Sequence, residues 1–190
     1  MSVTTQPMPP ATYADLEALP ENVKGEIIDG VLYALPKPRP RHARVAGNVW
    51  RDIEAPFDRS KGGPGGWWII LEPGIEHPRS PEYSPDIAGW RREPMPHLNL
   101  DAALNIVPDW VCEILSPSNR RYDLTIKKPF YASIGVRWLW IVDPPARMVN
   151  AFRLLNGRWD EVGVHFDNDK AQIEPFDAVE LDLSQWWPEE

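Results

Sequence analysis

One carboxylate stands inside the most apolar run of the chain. In "PDWVCEIL" (108–115), Glu113 is flanked by Trp110, Val111, Cys112, Ile114 and Leu115. Burying a charge is expensive unless it is paired, protonated or bound to a cation. Alternate residues of a strand share a face, so Glu113 points the same way as Val111 and Leu115. A second carboxylate, Asp86, follows Pro85 and opens the short apolar stretch "DIAGW" (86–90). If the strands over 86–90 and 110–115 are neighbours, the two acids meet near one edge of a sheet. Two carboxylates in one pocket repel unless a proton or a cation sits between them. Mg²⁺ suits such a pair, because it takes one or two carboxylates and keeps several waters.

A lysine is within reach of the same place. The segment "DLTIKKPFYASIG" (123–135) reads as a helix closed by Gly135. Ile126, Phe130 and Ile134 form one apolar stripe, and Asp123, Lys127 and Tyr131 lie on its flank, so Lys127 is nearer the core than Lys128. Pro129 would clash with a preceding helical turn, so the regular helix is expected to begin near Lys127. A lysine there can orient a water or stabilise charge on a phosphoryl oxygen. Each of these residues also has a plainer role. Glu113 fits a buried acceptor for backbone N–H groups or an arginine, and Asp86 fits a turn residue after proline. Lys127 fits an i,i+4 ion pair with Asp123, worth little on a surface. Tyr131 fits a packing residue with a wet hydroxyl. Glu26 opens a hairpin strand, where cross-strand pairing is the ordinary role. Glu72, after "WWIIL", is a weaker candidate for the same site.

The elements that must position these groups follow from pattern and punctuation. "TYADLEALPE" predicts a short helix capped by Thr12, and residues 1–11 read as a flexible tail. "GEIIDGVLYALP" is a hairpin around Asp29-Gly30, the favoured pair for a tight primed turn. "RPRHARVAGNVWRDIEAPF" is a helix with Val45, Val49 and Ile53 on one stripe. "WWIILEPGIEHP" predicts a strand pair or one bent strand, followed by a proline-rich loop "HPRSPEYSP" that leads into the strand "DIAGW". "WVCEIL", apolar on both faces, is expected at the centre of the sheet. "RWLWIVDP" is a further strand, and "MVNAFRLLNGRWDEV" a hairpin turning at Asn156-Gly157. A short strand and a terminal turn close the chain. This order suits an α+β fold, an α/β sandwich with one mixed sheet and few helices.

Composition narrows the function classes. The chain has 190 residues and a net charge of −8, which argues against coating nucleic acid through the overall field while leaving room for a local basic groove. The segment "KPRPRHAR" (37–44) and "NRR" (119–121) are the two basic stretches near the expected site. They read equally as phosphate-contacting edges or as solvated helix starts. The single Cys112 excludes an intrachain disulfide and a cysteine zinc site, and four scattered histidines argue against a histidine-rich zinc site. Trp67, Trp68, Trp138 and Trp140 read as core and sheet-face residues. With no apolar window of membrane-spanning length and no leader-like start, a cytoplasmic protein without membrane contact is expected.

Several of these pieces resemble the Uma-two family of restriction-type endonucleases, in the PD-(D/E)XK nuclease superfamily. The resemblance runs over roughly residues 12–165 and rests on "GEIIDGVLYALPKPRPRHARVAGNV", Pro85-Asp86, "PDWVCEILSPSNRRYD" and "GVRWLWIVDP". It implies a single restriction-endonuclease-like domain over 12–190, with a mixed central sheet flanked by helices and extra hairpins. It implies hydrolysis of phosphodiester bonds, DNA being the expected substrate, with Mg²⁺ or Mn²⁺ as cofactor. Asp86 and Glu113 would be the metal ligands, Lys127 the catalytic lysine and Glu26 an accessory acid. The superfamily's lysine normally stands two residues after the glutamate, where this chain has Leu115; the resemblance moves that role to Lys127. Pro129 is unusual against the pattern. Cutting both strands at once needs two sites, so a homodimer is expected. A non-catalytic nucleic-acid- or protein-binding module on the same fold is the alternative.

Overall fold

The computed structural model describes residues 9–98 and 103–188, so the first eight residues of the expected tail lie outside the described residues. Ala11, at the end of that tail, donates its N–H to the Gly30 carbonyl at 2.8 Å. Helix α1 (Tyr13–Glu17) starts at Thr12, whose backbone N–H and hydroxyl both donate to the Asp15 carboxylate. Strands β1 (Val23–Ile28) and β2 (Val31–Pro36) pair antiparallel across Asp29 and Gly30. Both turn residues have positive φ, 51° and 75°, as a primed turn requires.

Helix α2 (Pro40–Ile53) buries the expected stripe of Val45, Val49 and Ile53, then winds wider over Glu54–Asp58. Strand β3 (Trp67–Leu71) enters the main sheet. Strands β4 (Ile75–His77) and β5 (Ser80–Tyr83) pair with each other instead, which corrects two expectations. The stretch after "WWIIL" neither returns along β3 nor continues it, and "HPRSPEYSP" holds a strand rather than only a loop. Glu72, at φ 44°, turns the chain away from the sheet just before Pro73. Pro78 and Pro81 are tolerated because the ribbon is two-stranded and irregular, so neither must supply a ladder N–H.

Strands β6 (Ile87–Arg91) and β7 (Trp110–Ile114) follow. Next come α3 (Arg120–Tyr122), a wide π-type turn over Asp123–Lys127, and α4 (Lys128–Ile134), closed by Gly135 at φ 88°. The Lys128 N–H reaches back five residues to the Asp123 carbonyl, so the wide turn is complete before Pro129. The proline then sits at the start of regular helix, where its missing N–H costs little. Strands β8 (Trp138–Asp143), β9 (Met148–Leu155) and β10 (Arg158–Phe166) complete the sheet, the last two joined at Asn156-Gly157. A ribbon of β11 (Lys170–Ala171) and β12 (Leu181–Asp182) and a 3₁₀ turn, Leu183–Gln185, follow. Two-residue β11 is too short to leave a pattern in sequence.

The six-stranded sheet runs β10-β9-β8-β7-β6-β3, with β7 and β8 parallel and every other pair antiparallel. It is the mixed sheet expected, with β7 in its interior and buried along its whole length. Trp110, Cys112 and Ile114 pack with α2, Trp140 and Trp186 in one core cluster. Val111 and Leu115 pack in another, with Phe130 and Tyr131 of α4. No helix among the described residues is long and apolar enough to cross a membrane.

Gly89, opposite Trp110 in the ladder, is a close-approach position. A Cβ there would lie 3.0 Å from Ile69 Cδ1, 3.2 Å from Trp110 and 3.3 Å from Trp67. Gly89→Val is therefore expected to lower stability by about 1–3 kcal/mol through overpacking. A reduced urea midpoint at unchanged slope is the expected reading; an unchanged midpoint would show that these side chains give way freely.

Candidate active site

The site forms where the β6–β7 ladder stops. The last pair is Ile87 with Cys112, so the next residues outward are Asp86 and Glu113. On the far side of β7 the backbone continues its pairing, the Leu115 N–H donating to the Val142 carbonyl. On the near side the Ile114 N–H donates to Asp86 Oδ2 at 2.7 Å, so a side-chain carboxylate replaces a ladder carbonyl. His42, in the first turn of α2, meets the same oxygen through Nε2 at 3.0 Å. Asp86 is thus fixed from two directions.

Glu113 Oε1 is 2.7 Å from Lys127 Nζ and accepts a hydrogen bond from the Tyr131 hydroxyl. Lys127 also donates to the Ser84 carbonyl at 3.1 Å and lies 3.5 Å from Glu26 Oε1. Glu26 in turn accepts from the Tyr122 hydroxyl at 3.2 Å. Asp86, Glu113, Lys127 and Glu26, the four residues singled out from sequence, all line one small cavity with His42, Asp123 and Asn119. Glu72 does not join them. It is exposed, and it pairs with Lys24 at 3.6 Å on the side of a larger neighbouring cleft.

Several plainer readings give way here. Lys127 is 2 % exposed and its ion pairs run to Glu113 and Glu26 rather than along a wet helix face. The Tyr131 hydroxyl is buried against Glu113, not wet. Along the helix the polar row Asp123–Lys127–Tyr131 is buried, while Ile126 and Ile134 are only half-buried. His42, Tyr122 and Asp123 escaped the sequence reading as site residues. The available signal was position: His42 lies three residues before Val45, on the stripe α2 buries. A histidine on that stripe needs a polar partner.

Charge dominates the cavity. Glu26, Asp86, Glu113 and Asp123 are all buried, against one buried ammonium, Lys127. Burial, with the negative charges of Asp86 and Glu26, pushes the Glu113 pKa up to about 7 despite Lys127. Burial and the Glu113 charge push Asp123 up to about 8. Burial alone would raise Asp86, yet its hydrogen bond and charge interaction with His42 hold it below the usual carboxylate value. Burial would lower His42, and the Asp86 bond overcomes it and raises it. Burial opposes the Lys127 charge as well, but the surrounding carboxylates raise its pKa well above normal.

The donor chemistry fits a hard divalent cation. Asp86 Oδ1 and Glu113 Oε2 have no hydrogen-bond partner among the described residues, and the nearby candidate donors are chiefly carboxylate oxygens. No group of three or more histidine, cysteine, aspartate or glutamate side chains converges at metal-holding geometry among the described residues. The protein would therefore supply few ligands and leave the rest to water, which is the habit of Mg²⁺ rather than of zinc.

A mixed sheet with one parallel pair, β7–β8, and two carboxylates at the end of its neighbouring antiparallel β6–β7 ladder is the restriction-endonuclease-like nuclease fold. The fold is shared with the crystal structure of a putative nuclease belonging to DUF820 from Anabaena variabilis ATCC 29413. That protein is 20% identical, with a TM-score of 0.71, and the match covers 94% of this chain and 98% of that one. Residues 10–184 match the model of the Uma2 family, described as putative restriction endonuclease, and the chain belongs to that family. No curated protein matches the sequence.

The pKa directions set the pH dependence of the protein without divalent cations. Between about pH 5 and pH 8, Glu113, Asp123 and His42 hold more protons folded than unfolded, so stability falls as pH rises through that window. Asp86 acts in acid only, its contribution being lost as pH falls below the usual carboxylate range. Thermal melts in chelator are expected to show a lower melting temperature near pH 8 than near pH 5.5, partly restored by Mg²⁺ at the higher pH. A flat profile would mean that the cavity carboxylates titrate as they do in the unfolded chain.

Proposed function

We propose that this protein is a divalent-metal-dependent endonuclease that hydrolyses phosphodiester bonds, with DNA as substrate. The observation that carries the reading is the Lys127 ammonium 2.7 Å from Glu113 in a cavity with a surplus of carboxylates, Asp86 among them. Asp86 and Glu113 would hold the ion through Oδ1 and Oε2. Bound Mg²⁺ or Mn²⁺ would supply Lewis acidity to a phosphoryl oxygen and make a water a better nucleophile at neutral pH.

The chain's own residues do the positioning. His42 and the Ile114 N–H fix the Asp86 carboxylate. Lys127, held by Glu26 and the Ser84 carbonyl, keeps a positive charge where negative charge builds on the phosphoryl oxygens. Tyr131 holds one oxygen of Glu113 and leaves the other toward the cavity. Glu26 acts through Lys127, as an accessory acid. Hydrolysis joins the water oxygen to phosphorus, breaks one P–O ester bond and leaves a proton on the departing oxygen. Two such cavities, in a homodimer in the cytoplasm, would serve both strands of a duplex.

The second reading is a binding module without catalysis. It is favoured by the tight Lys127–Glu113 pair and by the lack of a converging three-ligand set among the described residues. Nicking of supercoiled plasmid with Mg²⁺ or Mn²⁺ separates the two. Wild type is expected to nick, and Asp86→Ala and Glu113→Ala to be inactive. Lys127→Met should lose about 10²–10³ in rate, as for other preorganised charge-stabilising groups. Equal activity in all four proteins would remove the site as drawn. An inactive wild type that also binds no metal by calorimetry would establish the binding module.

A further inference from the structure

The connection from β2 into α2 passes directly over the cavity. Leu35, Pro38 and His42 line it, and between and beyond them Lys37, Arg39, Arg41 and Arg44 are exposed. None of the four makes an ion pair among the described residues, while seven other arginines do, with Asp29, Asp52, Glu54, Asp58, Asp109, Asp143 and Glu174. The first turn of α2 holds no acidic residue, so the helix end adds to the positive field of the arm. Arg121, two positions beyond the cavity-lining Asn119, is exposed and makes no ion pair among the described residues.

The neighbouring larger cleft has the other sign. Glu17, Glu21, Glu72 and Glu82 line it, against Lys24 and Lys37. In a chain of net charge −8, a run of four unpartnered cations beside the cavity is the local exception.

We propose that the Lys37–Arg44 arm seats the phosphodiester backbone of a DNA duplex and leads it to the carboxylate cavity. The proposal rests on the nuclease reading for its choice of partner. Alternation explains the arrangement: one set of residues closes the cavity while the interleaved set faces the polyanion. Their contribution to binding is the charge they place on phosphates, which does not depend on base sequence.

The test is the salt dependence of binding by a fluorescein-labelled duplex of about 30 base pairs and random sequence, followed by anisotropy in chelator so that nothing is cut. Each cation on a phosphate contributes about 0.9 to the slope of log K against log salt. Lys37→Gln, Arg39→Gln, Arg41→Gln and Arg44→Gln combined should flatten the slope by about 3–4, with the melting temperature unchanged because all four are exposed. The remote pair Lys61→Gln and Arg158→Gln, also exposed, should leave the slope as in wild type. A wild-type slope in the fourfold variant, or equal flattening in the remote pair, overturns the arm. Binding of single-stranded RNA with the same dependence, and not of the duplex, overturns the choice of DNA. Calorimetry with Mg²⁺ tells the two readings apart: duplex binding through the arm without metal binding would sink the nuclease and keep the surface. A wild type that binds neither duplex nor metal sinks both.

Discussion

Four buried carboxylates around one buried ammonium is the constraint on which the site depends. Such a cluster cannot be fully ionised in a dry cavity without a further positive charge. Lys24, at the cavity wall and 4.0 Å from Glu26, offsets part of the surplus, and three further outlets remain. Protons take up part of it, as the raised Glu113 and Asp123 values record. His42 balances Asp86 from α2. A divalent cation is the third, and it would compete with those protons for the same oxygens. Apolar residues would fill this space at less electrostatic cost, so a charged cavity inside a tryptophan-rich core is better understood as a place for chemistry or binding than as a stabilising feature.

The surrounding elements are arranged to bear that cost. The β6–β7 ladder ends one pair early on the near side, and the Asp86 carboxylate takes over the Ile114 N–H that a longer strand would have bonded. Leu115, two residues after Glu113, is packed in the apolar cluster with Tyr131 and Phe130. A lysine there would point into that cluster. The positive charge arrives from the helix instead, through the wide turn over Asp123–Lys127. π-type widening is common at functional sites, and here it also absorbs the proline two residues later. Pro129 and Lys127 are then parts of one solution, since the turn that accommodates the first also carries the second.

Much of this was legible in the sequence, for a physical reason in each case. The primed turn at Asp29-Gly30, the Val45–Val49–Ile53 stripe and the double-faced burial of β7 follow from local pattern, and the structure has them. Asp86 and Glu113 were readable because a carboxylate inside an apolar strand or at its mouth needs an explanation. His42 was not, because its partner lies 44 residues away and only the packing of α2 on the sheet joins them. The β4–β5 ribbon was hidden by its prolines, which argue against strands unless the ribbon has few ladder bonds to lose. Helical angles placed Lys127 on the flank of an apolar stripe. The wide turn shifts that geometry, and the polar row became the buried one.

The Lys127–Glu113 contact bears on the two functional readings in a way distance alone does not decide. An ammonium at 2.7 Å from a carboxylate neutralises it, and a neutralised ligand holds a cation weakly. Yet Lys127 engages one oxygen only, the one Tyr131 also holds, and it shares its charge with Glu26 and the Ser84 carbonyl. An ammonium serving one carboxylate would be the signature of a closed ion pair. Here the ammonium is shared unequally, 2.7 Å from Glu113, 3.1 Å from the Ser84 carbonyl and 3.5 Å from Glu26, and its position between the two carboxylates is that of a charge held in place by its surroundings. Glu26 then has a reason to be buried that hairpin pairing with Tyr33 does not give it: it is a second carboxylate for the buried Lys127 ammonium, 3.5 Å away.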